Sequence, residues 1–199
     1  SLLVMGPSGC GKTSLMRVLA GLWDAGRGTV RRGPAAAGGS QLFLPQRPYM
    51  VLGSLREQML YPTWAADHAQ PGAGPAPGED ELQAALEAVQ LAHLLRREGG
   101  LEAVADWASV LSLGEQQRLA LTRVLLSKPA LVLLDECTSA VDVESEARIY
   151  SRLREGGTAY VSVSHRPSLR DFHARLLQFS PQGDADSGCC WALSGCRSA

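Results

Sequence analysis

Most of what would mark a membrane span, a nucleic-acid binder or a secreted scaffold is missing from this sequence. No uninterrupted apolar run approaches the roughly eighteen residues that a spanning helix needs, so no segment reads as transmembrane. The formal net charge is only −1, from 19 basic and 20 acidic side chains. The basic residues are scattered rather than massed in a stripe, which leaves no electrostatic case for nucleic acid. The five cysteines (Cys10, Cys137, Cys189, Cys190 and Cys196) are odd in number and contain no C-x-x-C pair. That argues against a disulfide framework or a zinc site and for thiols in a reducing compartment. Cys189, Cys190 and Cys196 suggest no role. A start methionine is also lacking: the chain opens at Ser1, directly on an apolar run. It reads as a piece of something longer, so the missing targeting segment carries no information. At 199 residues the chain can bury one core, with room for a small subdomain.

What is present is concentrated at the start. Leu2-Leu3-Val4-Met5 reads as a buried strand, Gly6-Pro7-Ser8-Gly9-Cys10-Gly11-Lys12-Thr13 as a glycine-rich turn, and Ser14 to Ala20 as a helix. The pattern G-x-x-x-x-G-K-[ST] is a phosphate-binding loop. A backbone that wraps a pyrophosphate turns its N–H groups inward, and glycines allow the approach. The following helix aims its unsatisfied amides at the same anion. Lys12 is placed to reach the β- and γ-phosphates and the Thr13 hydroxyl to ligate Mg²⁺. The loop therefore says nucleoside triphosphate and no more, since kinases, GTPases, motors and transporters share it.

Further on, Thr29-Val30-Arg31 suggests a short strand, and 33–40 an Ala/Gly-rich loop. Gln41-Leu42-Phe43-Leu44 reads as a second buried strand, ended by Pro45. In an open parallel sheet ligands sit at the strands' carboxyl ends, so Gln46 could offer its amide oxygen to a metal or a water, or be a turn glutamine. Ser54 looks like a helix cap. Residues 64–78 are dominated by Ala, Pro and Gly and read as a flexible insertion. Leu82, Ala85, Leu86, Val89 and Leu94 recur at helical spacing, predicting one amphipathic helix from Glu79 to Leu95. Ser112 with Glu115 forms a capping box for a helix that Pro129 stops after Lys128. That start is either ordinary or a second anion site, made by the Ser112 hydroxyl and the Gly114 amide.

Leu131-Val132-Leu133-Leu134 is a fully apolar strand with Asp135-Glu136 at its end. Alternation along a strand would point the two carboxylates apart. Asp135 could then hold Mg²⁺ and Glu136 face the γ-phosphate as general base, the alternative being a solvated acidic turn. Ser139 to Asp142 precedes a helix that Gly156-Gly157 terminates. Thr158 to Val163 is another strand, and His165 follows its end. Leu176 to Phe179 and Trp191 to Leu193 suggest a terminal hairpin across a turn-rich 181–188.

The order of these motifs resembles that of an ABC-transporter nucleotide-binding domain. Gly6–Thr13, Gln46, Leu111–Arg118, Leu131–Glu136, Ser139–Asp142 and His165 correspond to its Walker A, Q-loop, signature, Walker B, D-loop and H-loop. The resemblance implies an α/β P-loop NTPase fold, a mainly parallel sheet flanked by helices plus a helical subdomain near 54–128. The domain would occupy 1–193, truncated at its N-terminus, with 194–199 a disordered tail. Leu44–Met50, Gly53–Arg56, Tyr61-Pro62, Arg97-Glu98-Gly99-Gly100, Asp135–Ala140 and His165–Leu169 further resemble the subfamily D half-transporters. That subfamily includes peroxisomal fatty acyl-CoA transporters, a lysosomal cobalamin-related member, plastid members and bacterial relatives. Gln46 to Trp64 and the Leu111–Glu115 form look most like the plastid or cyanobacterial branch.

By resemblance, two such domains close head to tail around two ATP molecules. Gly6, Pro7, Ser8, Gly9, Cys10, Gly11, Lys12, Thr13 and Ser14 would hold the phosphates, with Thr13, Gln46 and Asp135 on Mg²⁺. Lys12, Glu136 and His165 are the implied catalytic set, Glu136 polarising water and His165 orienting that glutamate and touching the γ-phosphate. Ser112, Gly114 and Glu115 would act on the ATP of the opposite copy, and Asp142 would bridge the dimer. Gln46 would report the γ-phosphate to a transmembrane domain of the same polypeptide. The partners implied are that domain and a second nucleotide-binding domain, with no nucleic acid. The location implied is an organelle membrane (plastid or peroxisome) or a bacterial inner membrane. The chain departs from the family at Leu113, usually glycine, and at Glu115, usually glutamine, though glutamate occurs there in subfamily D. The aromatic residue that stacks on adenine and the membrane half both lie outside the chain, so ATP affinity and stability of this piece are expected to suffer. A non-transport ABC ATPase and an ATP-binding regulatory module with little turnover are the rival readings.

Overall fold

The computed structural model describes residues 1–24, 26–31, 40–65, 74–180 and 191–196. The expected loop at 33–39, most of the insertion after Trp64, the 181–188 turn, Cys189, Cys190 and the last three residues lie outside them. The chain divides into two compact units. One comprises Ser1–Pro45, Pro129–Glu136 and the chain from Gly157 on; the other comprises Gln46–Lys128 and Cys137–Gly156.

The first unit is built on a six-stranded sheet with strands β1 (Leu2–Met5), β2 (Gln41–Leu44), β3 (Leu131–Asp135), β4 (Ala159–Val163), β5 (Arg175–Phe179) and β6 (Trp191–Gly195). Its order is β2-β3-β4-β1-β5-β6. The first five strands run parallel and β6 pairs antiparallel with β5. β1 and β3 are nearly continuous apolar runs because parallel strands are covered on both faces. Leu3 pairs with Ser162 on one side and Leu176 on the other. Helix α1 (Lys12–Ala20) sets Met16 into a buried cluster with Val4, Leu133 and Val163. Its last turn closes with Gly21 at φ +75°, whose N–H donates to the Val18 carbonyl while that of Leu22 reaches Arg17.

Two expectations change here. Residues 29–31 form no strand; Val30 is exposed and has no apolar face to bury. β6 forms the hairpin with β5 but continues through Gly195, and the Cys196 N–H donates to Ala174. Residues 194–196 are thus ordered by backbone pairing rather than left as a tail. The parallel register places the carboxyl ends of β3, β4 and β1, three neighbouring strands, along one sheet edge.

The second unit is helical: α2 (Leu55–Leu60), α3 (Glu79–Ala88), α4 (His93–Glu98), α5 (Trp107–Val110), α6 (Leu113–Ser127) and α7 (Val143–Glu155). Leu55, Met59, Leu82, Leu86, Leu94, Trp107, Leu119 and Leu121 form its buried interior. Ser54 caps α2, as the sequence suggests, and the structure adds a reciprocal box with Glu57. The single helix expected from Glu79 to Leu95 is instead two. Gln90 takes φ +59°, its N–H donates to Glu87, and the Leu91 N–H reaches back to Leu86. That is a Schellman stop, sealed by buried Leu86 and Leu91. Arg123, buried on α6, donates from Nε to the Gln58 carbonyl at 2.8 Å and lies over the Tyr61 ring. Among the described residues no helix is long and apolar enough to cross a membrane.

Candidate functional site

The sequence-derived site residues fall into two sets, one in each unit. In the first unit the loop after β1 turns through Gly9 at φ +78° and Gly11 at φ +94°. Nothing lies within 4 Å of where a Cβ would stand at either glycine. The loop therefore needs glycine for its backbone conformation rather than for space. Gly11 caps α1 without any side-chain hydrogen bond, so no side chain occupies the helix's first amides. Lys12 is buried, and its Nζ folds back on the loop, donating to the Gly6 carbonyl at 3.0 Å and to Pro7 at 2.8 Å.

Thr13 Oγ1 donates to Asp135 Oδ1 at 3.2 Å, joining α1 to the end of β3. Burial pushes the Asp135 carboxyl up, the Thr13 hydrogen bond opposes this, and the neighbouring Glu136 charge adds to it. A hydroxyl and a carboxylate, both hard oxygen donors, with the carboxylate short of solvation, are donors of the kind that would suit a Mg²⁺ ion.

Glu136 is not the next residue of the strand. It leaves β3 at φ +49°, with its N–H held by the Val163 carbonyl at 3.1 Å. The orientation of its carboxylate thus comes from a left-handed turn rather than from strand alternation. Its Oε1 lies 3.1 Å from His165 Nε2, two residues past the end of β4. Lys12, Thr13, Asp135, Glu136 and His165 are thus gathered at the carboxyl edge of three adjacent strands.

In the second unit Ser112 caps α6, its hydroxyl accepting the Glu115 N–H at 3.3 Å. Its own N–H and hydroxyl each meet Glu115 Oε2 at 2.9 Å. The Ser112 hydroxyl expected to face an anion is therefore engaged by a carboxylate. Gly114 packs so closely that a Cβ would stand 2.6 Å from the Ala140 carbonyl oxygen. Leu113 is partly exposed. Asp142 caps α7 through the Ser145 N–H at 2.9 Å, and its other oxygen lies 3.9 Å from Arg118 Nη1. Gln46, exposed, follows β2 and Pro45.

Gln117 escaped the sequence reading. It is fully buried, its Nε2 donates to the Gln46 carbonyl at 2.8 Å and to Ser139 Oγ at 3.1 Å, and its Oε1 accepts the Ala140 N–H at 2.9 Å. One side chain thus ties α6 to two loops that carry expected site residues. The available signal was a glutamine set at helical spacing before buried Leu121 and Val124. Arg97, read in the sequence only as part of the subfamily D resemblance, also reaches this turn; its Nη1 donates to Glu115 Oε1 at 2.7 Å.

Residues 1–139 match the family model described as ABC transporter. The chain is 50% identical over 182 residues to an uncharacterised ABC transporter ATP-binding protein of Synechocystis, covering 92% of this chain and 26% of that protein. It is 46% identical over 212 residues to the chloroplastic ABC transporter D family member 2 of Arabidopsis thaliana, covering 90% of this chain and 30% of that one. Among solved structures it is similar to a bacterial Atm1-family ABC exporter with ATP bound, at a TM-score of 0.71 and 25% identity, over 89% of this chain and 31% of the exporter. The chain spans about a quarter to a third of the length of these three proteins.

Proposed function

The chain belongs to the ABC transporter family, and from that premise we propose that it binds and hydrolyses ATP to drive transport by a D-type half-transporter. The observation that carries the reading is the 3.1 Å contact between Glu136 and His165, on the strand edge shared with the Lys12 loop. A phosphate cradle beside a carboxylate held by a histidine suits the activation of an attacking water.

In this reading the loop amides from Gly6 to Ser14 and the Lys12 ammonium bind the phosphates. Thr13, Asp135 and Gln46 hold Mg²⁺, which when bound neutralises phosphate charge. Glu136 accepts a proton from water as its oxygen attacks the γ-phosphorus. The bond from that phosphorus to the β–γ bridging oxygen breaks, and ADP and phosphate leave. His165 keeps the Glu136 carboxylate aimed. Ser112, Gly114, Glu115 and Asp142 serve the ATP of a second copy docked head to tail. The similarity to a chloroplastic D family member supports a plastid membrane and that to a Synechocystis protein a bacterial inner membrane, a peroxisomal membrane resting on the motif resemblance alone, with a transmembrane half as partner. A fatty acyl-CoA or related lipid is the cargo class.

The test is Mg·ATP turnover per chain across a range of protein concentrations, beside Glu136→Gln. Turnover that climbs with concentration, and a variant that binds ATP as a dimer without hydrolysing it, are expected. Turnover independent of concentration would reject the shared site. Undiminished turnover in the variant would reject Glu136 as base.

A further inference from the structure

Arg97-Glu98-Gly99-Gly100 takes no part in the chemistry above, yet its geometry is specific. Helix α4 ends there through two successive left-handed residues, Gly99 at φ +93° and Gly100 at φ +103°, a conformation glycine adopts without the Cβ penalty. The stop leaves Arg97 in the last helical turn, where its guanidinium holds two carboxylates. Nε donates to Glu98 Oε1 at 2.5 Å and Nη1 to Glu115 Oε1 at 2.7 Å. His93 Nε2 stands 3.5 Å from the same Glu115 oxygen. Glu115 is thereby engaged at both oxygens, by Arg97 on one and by the Ser112 N–H and hydroxyl on the other.

A glutamate at this position creates a charge problem that a glutamine would not. The first turn of α6 carries positive potential that suits an anion, and a carboxylate placed there consumes it. In the ATPase reading that turn must receive a γ-phosphate, itself anionic, and Ser112 must turn its hydroxyl toward it. Arg97 is the group that offsets the carboxylate. Without it, Glu98 and Glu115 stand together with no guanidinium between them. Arg97 is about half exposed, while Glu115 is mostly buried, so it is the carboxylate end of the pair that is short of solvent and gains from a fixed counter-charge.

We propose that Arg97 is a positioning residue for ATP engagement, fixing and neutralising the Glu115 carboxylate so that the Ser112–Gly114 turn can accept a γ-phosphate. The proposal rests on the ATPase reading, and it places the action of Arg97 entirely through Glu115. Arg97→Gln, which shortens the side chain and deletes both the charge and the two guanidinium contacts, should therefore be damaging only while residue 115 is a carboxylate.

The experiment measures the ATP dependence of turnover in the intact protein for the parent, Arg97→Gln, Arg97→Lys, Glu115→Gln and the Arg97→Gln/Glu115→Gln pair, with ADP affinity and melting temperature recorded for each. Arg97→Gln should raise KM for ATP on the order of tenfold, the effect of one uncompensated nearby charge, while kcat moves less. ADP, which lacks the γ-phosphate, should bind as before. In the Glu115→Gln background the same substitution should change KM by less than about twofold, and Arg97→Lys should recover most of the loss. An equal rise in both backgrounds would make Arg97 merely structural and overturn the proposal. No rise in the parent background would overturn it too. A parent that turns over ATP without this coupling sinks the role of Arg97 alone, whereas a parent without turnover sinks the ATPase reading and this inference with it.

Discussion

His165 Nε2 meets Glu136 Oε1 at 3.1 Å, between residues that leave the ends of neighbouring strands β4 and β3. Neither is inside its strand. Glu136 has already turned into the left-handed region, and His165 follows Ser164. The contact therefore exists because the sheet pairs Asp135 with Val163, which sets the two departing chains side by side.

If this pair activates water, Glu136→Gln should lower kcat by about 10²–10⁴-fold while ATP binding persists. His165→Ala should lower kcat more than it raises KM, because its contact in the structure is with the base Glu136 and it adds at most one contact to the nucleotide. Steady-state kinetics beside equilibrium binding of ATP decides this; a His165 variant with full turnover would remove it from the mechanism.

In the proposed mechanism the cation sits at Thr13 and Asp135, which hydrogen-bond each other at 3.2 Å. Thr13→Val keeps the shape and deletes the hydroxyl. The Mg²⁺ concentration for half-maximal turnover should rise at least about tenfold, the scale that even outer-sphere partners of a metal carry. A Mg²⁺ titration with the same midpoint as the parent would place the ion elsewhere.

Gly114 is set by space, since its missing Cβ would fall 2.6 Å from a backbone oxygen of Ala140. Gly114→Ala must shift either α6 or the loop ahead of Asp142, at a cost of about 1–3 kcal/mol. Urea unfolding should show a lower midpoint; an unchanged midpoint would mean the loop yields freely.

His173 is buried, its ring edge-on to Tyr160 and its Nδ1 2.7 Å from the Leu169 carbonyl. Burial lowers its pKa from 6.5 to about 4, against the raising effect of that carbonyl. The unfolded chain therefore binds this proton more readily than the folded one. The stability contribution is complete above about pH 6.5 and is lost as pH falls toward 4, by at most about 1.4 kcal/mol per pH unit. Denaturation of the parent and of His173→Gln at pH 7 and pH 5 should show the smaller pH dependence in the variant. Equal slopes would mean His173 does not carry the titration.

What could be read from the sequence is what short-range chemistry encodes. The glycine-rich loop, the helix cap at Ser54, the capping box at Ser112, and the apolar runs of β1 and β3 each depend on residues within a few positions of one another. The amphipathic stretch from Glu79 was legible as helix, but its break at Gln90 was not. A left-handed non-glycine residue is stabilised only when a buried contact such as Leu86 with Leu91 offsets its cost.

The sequence by itself determined the phosphate loop, the helix starts and the order of the motifs, because backbone conformation and local capping follow from neighbours along the chain. Tertiary structure decided which polar groups meet. The left-handed exit of Glu136 toward His165, the hold of Thr13 on Asp135, the ties Gln117 makes to Gln46 and Ala140, and the grip of Arg97 on Glu115 all join distant positions. Such pairs are fixed by strand register and helix packing, which no local window of residues contains.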